Sequence, residues 1–302
     1  MNRLTIVFSI ILASGAYAQQ DPQFSQNMFN RLPVNPGYAG TSGAICGTAL
    51  GRSQWMGFDG APQTFVLGVD APIRAAKGGI GLTLMQDAIG VENTVTARVG
   101  YAYHLSLAGG TLGIGADVGI VNKTLGQGLK PLQQGDPSIP TTAVGATSLD
   151  VGFGAYYTSK NFYAGLSSTH LPESTLNLGT SSYRLRRHYY LMAGYNYQLG
   201  NPDLVLIPSI FLKNAVTTQL DLNCNLLIKN KIWGGLSYRM QDAIVLLAGA
   251  KVWKDLRLGL AYDLNTSKLN PYNNGTLEIM LNYCMTINVQ PKRQVYRNVR
   301  YL

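Results

Sequence analysis

Long stretches of this 302-residue chain alternate apolar residues with polar or small ones at a period of two. In residues 256–265, leucine or tyrosine occupies every second position, and arginine, glycine, alanine, aspartate and asparagine lie between them. Residues 111–123, 217–228 and 276–287 repeat the pattern. Because successive side chains on a strand point to opposite faces, each stretch predicts a strand with one apolar face and one polar or small face.

Fourteen such segments can be placed, and many approach the ~9–11 residues of a tilted membrane strand rather than the ~5–6 of a soluble one. They are residues 44–50, 63–72, 78–86, 94–107, 111–123, 148–158, 161–170, 187–198, 203–213, 217–228, 231–240, 243–253, 255–265 and 276–287. Tight turns are expected near residues 74–77, 108–110, 159–160, 199–202, 229–230 and 254, and long loops at 51–62, 87–93, 125–147, 171–186 and 266–275. Short turns at one end and long loops at the other predict an all-β, transmembrane outer-membrane β-barrel of about 14 antiparallel strands over residues 44–290. Both chain ends then fall on the short-turn, periplasmic side.

This topology makes specific expectations for single residues. Leu258 and Leu260 should face lipid, and Arg257 and Asp263 should face the lumen. Serine at Gly259 should be nearly harmless. The proline-containing loop at residues 125–147 should lie at the cell surface, with an epitope near Gln134 reachable by antibody.

Composition supports a membrane barrel over a soluble β protein. Charged residues make up 13% of the chain, against ~25% in soluble proteins, and glycine occurs 34 times. This excludes a disordered chain or a coiled coil, and no apolar run reaches the ~18 residues of a membrane helix. A soluble sandwich would need a more charged outer face, and no fixed repeat supports a propeller or solenoid. The net charge is +9, but the basic residues are scattered along the chain rather than clustered in one stretch, so no nucleic-acid partner is expected.

Residues 1–18 have the features of a cleaved secretory signal peptide. Arg3 supplies the positive charge, residues 4–12 the apolar stretch, and residues 16–18 (Ala-Tyr-Ala) the cleavage site. The mature chain would begin near Gln19 and be exported to the outer membrane.

No catalytic, cofactor or metal constellation is expected, so the chain is interpreted as not an enzyme. The three cysteines, Cys46, Cys224 and Cys284, match no metal spacing and are interpreted as small apolar residues on strands. The histidines, at positions 104, 170 and 188, have no helical metal spacing and are interpreted as satisfied strand or loop residues. A serine–histidine arrangement assembled in space stays open at this point.

The most distinctive motif lies before and just after the first strand. Its residues are Asp21, Pro22, Phe24, Ser25, Gln26, Met28, Phe29, Asn30, Asn35, Pro36, Tyr38, Ala39, Gly40, Arg52, Gln54, Trp55, Gly57, Gly60 and Pro62. The motif closely resembles the opening of the PorP/SprF family of outer-membrane proteins, and residues 278–283 resemble that family's last strand. Asn27, Gly37 and Gly51 depart from the family pattern, which has Tyr, Ala and Tyr there.

The resemblance implies a non-enzymatic barrel of the type IX protein secretion and gliding apparatus. It implies a role in exporting or anchoring surface proteins, through periplasmic and lipoprotein partners and possibly secreted client proteins. A passive porin-like solute channel is the alternative, and a soluble secreted β adhesin is a second rival.

Three segments outside the strands carry open expectations. Residues 19–43 contain three prolines and cannot form a lipid-facing strand, so they form either a lumenal plug or a periplasmic segment. Trp55 and Phe58 belong either to the interfacial aromatic girdle or to a surface patch for a client. The basic, aromatic tail at residues 291–302 is expected to be periplasmic, and its residues Arg293, Tyr296, Arg297, Arg300 and Tyr301 are hypothesised to dock a partner.

Overall fold

A computed structural model describes residues 21–57, 59–127, 142–179, 181–268 and 270–286. Within these ranges lie seventeen strands: β1 Ile45–Ser53, β2 Gln63–Ile73, β3 Gly78–Ile89, β4 Glu92–Leu107, β5 Gly110–Leu125, β6 Val144–Thr158, β7 Phe162–Thr169, β8 Thr175–Leu178, β9 Ser181–Arg184, β10 His188–Tyr195, β11 Tyr197–Gln198, β12 Leu204–Asn214, β13 Thr218–Ile228, β14 Ile232–Arg239, β15 Ala243–Trp253, β16 Leu256–Asn265 and β17 Thr276–Met285. Short 3-10 turns occur at Pro36–Tyr38, Arg74–Ala76 and Asn270–Tyr272. In the described part of the chain, no helix is long and apolar enough to cross a membrane.

The strands form a closed antiparallel barrel of fourteen strands, which confirms the predicted fold class. Each barrel strand pairs with its neighbours along the chain, β11 continues the course of β10, and β8 and β9 form a separate hairpin. The barrel closes where β1 pairs with β17, with Arg52 opposite Glu278 in the register. Full closure leaves the described barrel wall without an unpaired sheet edge, which is the condition for a β protein in lipid.

The two faces of the wall differ as the alternation predicts. On β16, Leu260 and Leu264 are 44% and 46% exposed on the outside, whereas Asp263 between them is 1% exposed. Large apolar side chains repeat on the outer face of the other strands, including Leu82, Val118 and Leu236. The outward positions thus suit hydrocarbon, and the inward positions carry most of the charged and polar residues.

The connections define two ends of the barrel. The short-turn end holds the turns after β2, β4, β6, β11, β13 and β15; in one, Lys229 and Asn230 both have positive φ, as the two-residue hairpin turn requires. The opposite, long-loop end includes the described residues 54–57, 59–62, 126–127, 142–143, 266–268 and 270–275. The prediction of a long loop at residues 87–93 is wrong. Strand β3 continues to Ile89 and β4 begins at Glu92, so only Gly90 and Val91 form the turn. The predicted loop at 171–186 contains the β8–β9 hairpin, and Gln134 lies outside the described residues.

A disulfide joins Cys46 to Cys284, so the interpretation of all three cysteines as small apolar residues is wrong for this pair. The two residues face each other across β1 and β17, the first and last strands of the barrel. A closed barrel makes those two strands neighbours, and this placed the cysteines together despite their separation of 238 residues. Cys224 stays free and exposed on the outer face.

Residues 21–44, which we call the lumenal segment, lie inside the barrel. Asp21 contacts the long-loop end, where it meets His170 and His188. The segment then runs through the lumen to the short-turn end, where Gly40 contacts Asp70 before β1 begins. Both ends of the barrel wall lie at the short-turn end as expected, but the start of the lumenal segment lies at the opposite end.

The apolar core of the molecule is therefore the packing of this segment against the inner wall. Phe24 packs with Leu50, Val66, Met85 and Met280. Further along, Met28 packs with inner residues of β15 and β16, and Val34 packs with a cluster of tyrosines, Met192 and Phe211.

Candidate functional site: the lumenal segment and its polar anchors

The motif residues of the lumenal segment are mostly buried within the barrel. Phe24, Ser25, Gln26, Met28, Asn30, Asn35, Pro36, Ala39 and Gly40 are buried, while Asp21, Pro22, Phe29 and Tyr38 are partly buried. The rings of Phe29 and Trp233 of β14 are in tilted contact, with centroids 5.2 Å apart. These residues therefore contact the inner wall rather than lipid.

Ser25 lies at the centre of a charged cluster contributed by strands from both sides of the closing seam. Its Oγ accepts a hydrogen bond of 2.9 Å from Arg52 Nη1 and donates one of 2.7 Å to Asp263 Oδ1. Arg52 also pairs with Asp263 at 2.8 Å and with Glu278 at 3.1 Å. The two carboxylate oxygens of Glu278 in turn accept from the backbone N–H groups of Ser25 and Gln26, each at 2.8 Å.

Arg239 extends the same cluster around the barrel. Its guanidinium pairs with Asp263 at 3.0 Å and with Asp221 at 3.3 Å, and it donates to Ser25 Oγ at 3.1 Å. Asp221 also accepts hydrogen bonds from Gln23 and Asn27 of the lumenal segment.

The cluster combines two guanidinium groups with three carboxylates, all nearly inaccessible to solvent. Burying charges is costly unless each has partners, and here the partners come from the lumenal segment as well as from the wall. Ser25 lies beside a carboxylate, but its side chain is buried and fully engaged by its neighbours. The arrangement therefore holds the segment in place rather than presenting a nucleophile to a substrate.

At the long-loop end, Asp21 joins a second polar cluster. Its two carboxylate oxygens each lie 3.0 Å from His170 Nε2, and its backbone N–H donates to His188 Nε2 at 3.2 Å. Lys213 donates to the backbone carbonyl oxygen of Asp21. Burial alone would raise the pKa of Asp21, but His170 and His188 hold it well below its usual range. Burial alone would lower the pKa of His170, which follows the end of β7, but Asp21 and Asp150 raise it to about 10.

A cavity of about 680 Å³ opens above this second cluster at the long-loop end. Asp21 and His170 line it, together with Glu92, Lys123 and Tyr183. The hairpin of β8 and β9 and the turn between β3 and β4 form its sides. It is thus a vestibule at the long-loop end, in contact with the start of the lumenal segment.

Nearer the short-turn end, glycines let the segment approach the wall closely. A β-carbon on Gly113 would lie 2.1 Å from the carbonyl oxygen of Gly37, and one on Gly79 would lie 2.3 Å from that of Ala39. Arg31 lies over the ring of Tyr163, 3.9 Å from its centroid. The glycine-rich inner faces of β3 and β5, which superficially resemble phosphate loops in the sequence, provide space for this backbone.

The second half of the motif lies at the long-loop end. Gln54 N–H donates to Pro62 across the loop, and Trp55 N–H donates to Thr276 Oγ1 at 3.1 Å. Trp55, Gly57 and Gly60 all have positive φ, which fixes the loop's sharp course. Phe58 lies outside the described residues, as do Arg293, Tyr296, Arg297, Arg300 and Tyr301 of the proposed docking tail.

Sequence reasoning placed Asp263 in the lumen but missed its partners. Arg239, Asp221 and Glu278 each occupy an inward position of an alternating strand, so the signal was present. Which inward charges meet depends on register and on barrel closure, and neither can be derived from one strand alone.

A closed fourteen-stranded wall with an apolar exterior and a polar interior defines an outer-membrane β-barrel protein. Residues 16–283 match the family described as type IX secretion system membrane protein PorP/SprF, and the chain belongs to that family. This confirms the resemblance carried by the motif. The barrel fold and the family imply the outer membrane as its location and association with components of the secretion machinery.

Solved structures share the barrel fold. The CymD monoaromatic hydrocarbon channel is 10% identical over 87% of this chain and 93% of its own, with a TM-score of 0.51. The outer membrane protein Omp33 of Acinetobacter baumannii is 12% identical over 81% of this chain and 99% of its own, with a TM-score of 0.47. At such identities the likeness concerns the fold alone. Among curated proteins, none matches the sequence.

Proposed function

We propose that this protein is a non-enzymatic barrel component of the type IX secretion and gliding apparatus, which helps to export or anchor surface proteins. It would act through contacts with periplasmic and lipoprotein partners of the machine. Family membership supports the link to secretion. The observation that carries the mode of action is the lumenal segment, whose polar anchors and apolar packing occupy the interior of the barrel.

A filled interior argues against the porin-like alternative. A porin-like channel has an open, water-filled path, whereas Phe24, Met28 and Val34 pack here against different parts of the wall. A client protein passing through the lumen would have to displace all of these contacts. The barrel would therefore act as a membrane anchor that presents its two ends to partners.

The two ends offer different surfaces. The long-loop end carries the vestibule, the β8–β9 hairpin and the loop around Trp55. The basic, aromatic tail of residues 291–302 follows β17, which ends at the short-turn end. Arginines interleaved with tyrosines suit an acidic or grooved protein surface, since guanidinium groups pair with carboxylates while the rings supply buried area.

The proposal is tested in cells that lack the chromosomal copy of this gene. Complementation with the full chain should restore secretion and gliding. Complementation with a chain truncated after Lys292 should give a heat-modifiable barrel but no secretion and no co-purified periplasmic partners. As a matched control, residues 293–302 are replaced by ten glycine and serine residues, which should behave like the truncation.

Normal secretion and gliding in the strain without the gene would contradict the proposed function. Normal secretion by the truncated chain, with its partners retained, would contradict only the docking role of the tail. If the truncated barrel fails to assemble while the glycine-serine chain assembles but does not secrete, the tail's residues still act in docking.

A further inference from the structure

Three side chains of metal-binding type meet at the long-loop end of the lumen. They are Asp21 of the lumenal segment, His170 just after β7, and His188 at the start of β10. Their ligand atoms all lie within 4.8 Å of one another, and both histidines are buried. No metal site is expected from the sequence, because no pair of histidines has helical metal spacing.

Both imidazoles are oriented by contacts of their other ring nitrogen. His170 Nδ1 lies 3.0 Å from Oδ1 of the completely buried Asp150, an ion-pair contact whose angles fall outside those of a hydrogen bond. His188 Nδ1 lies 2.9 Å from the backbone carbonyl oxygen of Arg186. Metal-binding histidines usually donate their second ring N–H to a carboxylate or a backbone carbonyl, which fixes the tautomer and leaves Nε2 free as the ligand. Here both Nε2 atoms point at Asp21.

We propose that Asp21, His170 and His188 form a binding site for a divalent cation of the zinc type. Two imidazole nitrogens and one carboxylate are a known ligand set for Zn²⁺, with bonds of ~2.0–2.2 Å and a fourth position for water. The cavity lined by Asp21 and His170 gives that water access. Lys213 contacts the backbone carbonyl of Asp21, and the Asp21 carboxylate contacts His170 Nε2 and accepts a hydrogen bond of 3.4 Å from Tyr190.

A bound cation would fasten the start of the lumenal segment to the barrel wall. Asp21 is the first described residue of the segment, whereas both histidines belong to the wall or its loops. The metal would take the place of the proton shared by His170 and Asp21 and of the hydrogen bond from Asp21 N–H to His188. The site therefore acts as a clamp at the end of the segment opposite to its covalent connection with β1.

The test uses the full-length protein without an affinity tag, purified in detergent and stripped of metal with a chelator. Zn²⁺ is titrated by calorimetry, and Co²⁺ by its visible absorption, at mildly alkaline pH where protons compete least for the imidazoles. One equivalent of each ion should bind, and Zn²⁺ should raise the temperature at which the barrel unfolds on a gel. His170→Gln and His188→Gln should each abolish both effects.

His104→Gln is the matched control, because His104 is the remaining histidine and contacts Ala39 near the other end of the lumenal segment. It should bind Zn²⁺ like the wild type. Asp150→Asn, which changes only the group behind His170, should weaken Zn²⁺ binding by about 10- to 100-fold. If His170→Gln does not assemble, His188→Gln and Asp150→Asn still decide the outcome.

Two results would overturn the site. One is the absence of saturable binding of Zn²⁺ and Co²⁺ by the wild-type protein, which would leave the cluster as an imidazolium held between two carboxylates. The other is binding that persists unchanged in both His188→Gln and Asp150→Asn, which would locate the metal elsewhere.

Discussion

Ser25 Oγ and Arg52 Nη1 lie 2.9 Å apart inside the barrel, and this contact joins the two halves of the family motif. Ser25 belongs to the lumenal segment and Arg52 to the first strand. In the sequence they are separated by 27 residues and by a stretch that crosses the whole lumen. Residues of the motif therefore fix the segment to the wall, and Asp263 and Glu278 are their acidic partners.

Removing the charge of Arg52 should destabilise the barrel strongly. Arg52→Met leaves Asp263 and Glu278 with fewer partners in a buried site, and breaking a buried ion pair costs about 3–5 kcal/mol. Urea unfolding in detergent, followed by gel mobility, measures the loss. Arg74→Gln, on an exposed turn, is the control and should change the unfolding free energy little. Equal effects of the two substitutions would show that the charged cluster does not hold the segment.

Two neighbouring positions on β16 should respond to different environments. Leu260→Arg places a charge on the lipid face and should cost about 2–4 kcal/mol near the bilayer midplane. Gly259 faces inward, where a β-carbon would lie 2.1 Å from Oε1 of the fully buried Gln26, so a larger residue requires this side chain to move and is expected to cost more than the sequence analysis predicted for serine. Gly259→Ala should cost about 1–3 kcal/mol through overpacking.

Gly47→Ala is the matched control for Gly259→Ala, because no atom lies within 4 Å of a β-carbon at this strand position. Its unfolding free energy in lipid vesicles should equal that of the wild type or exceed it. If alanine is tolerated equally at both positions, Gln26 is not packed against β16.

The disulfide should stabilise the barrel at its closing seam. Cys46 and Cys284 connect β1 with β17, so replacing both with serine should lower the unfolding free energy by about 2–5 kcal/mol. The temperature of gel heat-modification should fall, and added reductant should have no further effect on this variant. Cys224→Ala removes the free cysteine and should leave both properties unchanged. A double-serine barrel as stable as the wild type would contradict the role of the disulfide.

Topology can be checked with single cysteines in a Cys224→Ala background. Ser182→Cys in the β8–β9 hairpin should react with a membrane-impermeant maleimide on intact cells. Lys160→Cys, in the turn between β6 and β7, should react only after the outer membrane is permeabilised. Both positions are exposed and differ in the end of the barrel that they occupy. The reverse labelling pattern would invert the barrel in the membrane.

The wall of the barrel could be predicted because the alternation that defines it lies within single strands. Alternation at single strands, as in residues 256–265, identifies the lipid face without knowledge of any partner. Asp87 and Asn93, the bounds of the expected loop, instead lie near the ends of β3 and β4. Asp87 pairs with Thr64 and Thr94, and Asn93 pairs with Ala88 and Thr124, so only a tight turn at Gly90 remains.

The interior could be predicted only in part, because its contacts depend on closure. The prolines of the lumenal segment excluded a lipid-facing strand but left two positions open, and only the folded barrel brings Ser25 to Arg52 and Asp21 to His170. The same applies to Cys46 and Cys284. The members of each pair lie in different elements, which only barrel closure or the course of the lumenal segment brings together, so the pattern of a single strand carries no signal for the contact.

The most direct test of the account is solute permeability, because its central claim is that the lumenal segment closes the barrel. Wild-type protein is reconstituted into liposomes, and swelling in a small sugar is compared with protein-free vesicles and with a general porin. A variant lacking residues 21–40, checked for assembly by gel heat-modification, serves as the opened control. Vesicles with the wild type should swell no faster than protein-free vesicles, and vesicles with the opened variant should swell faster. Wild-type swelling at the rate of the porin would contradict the claim.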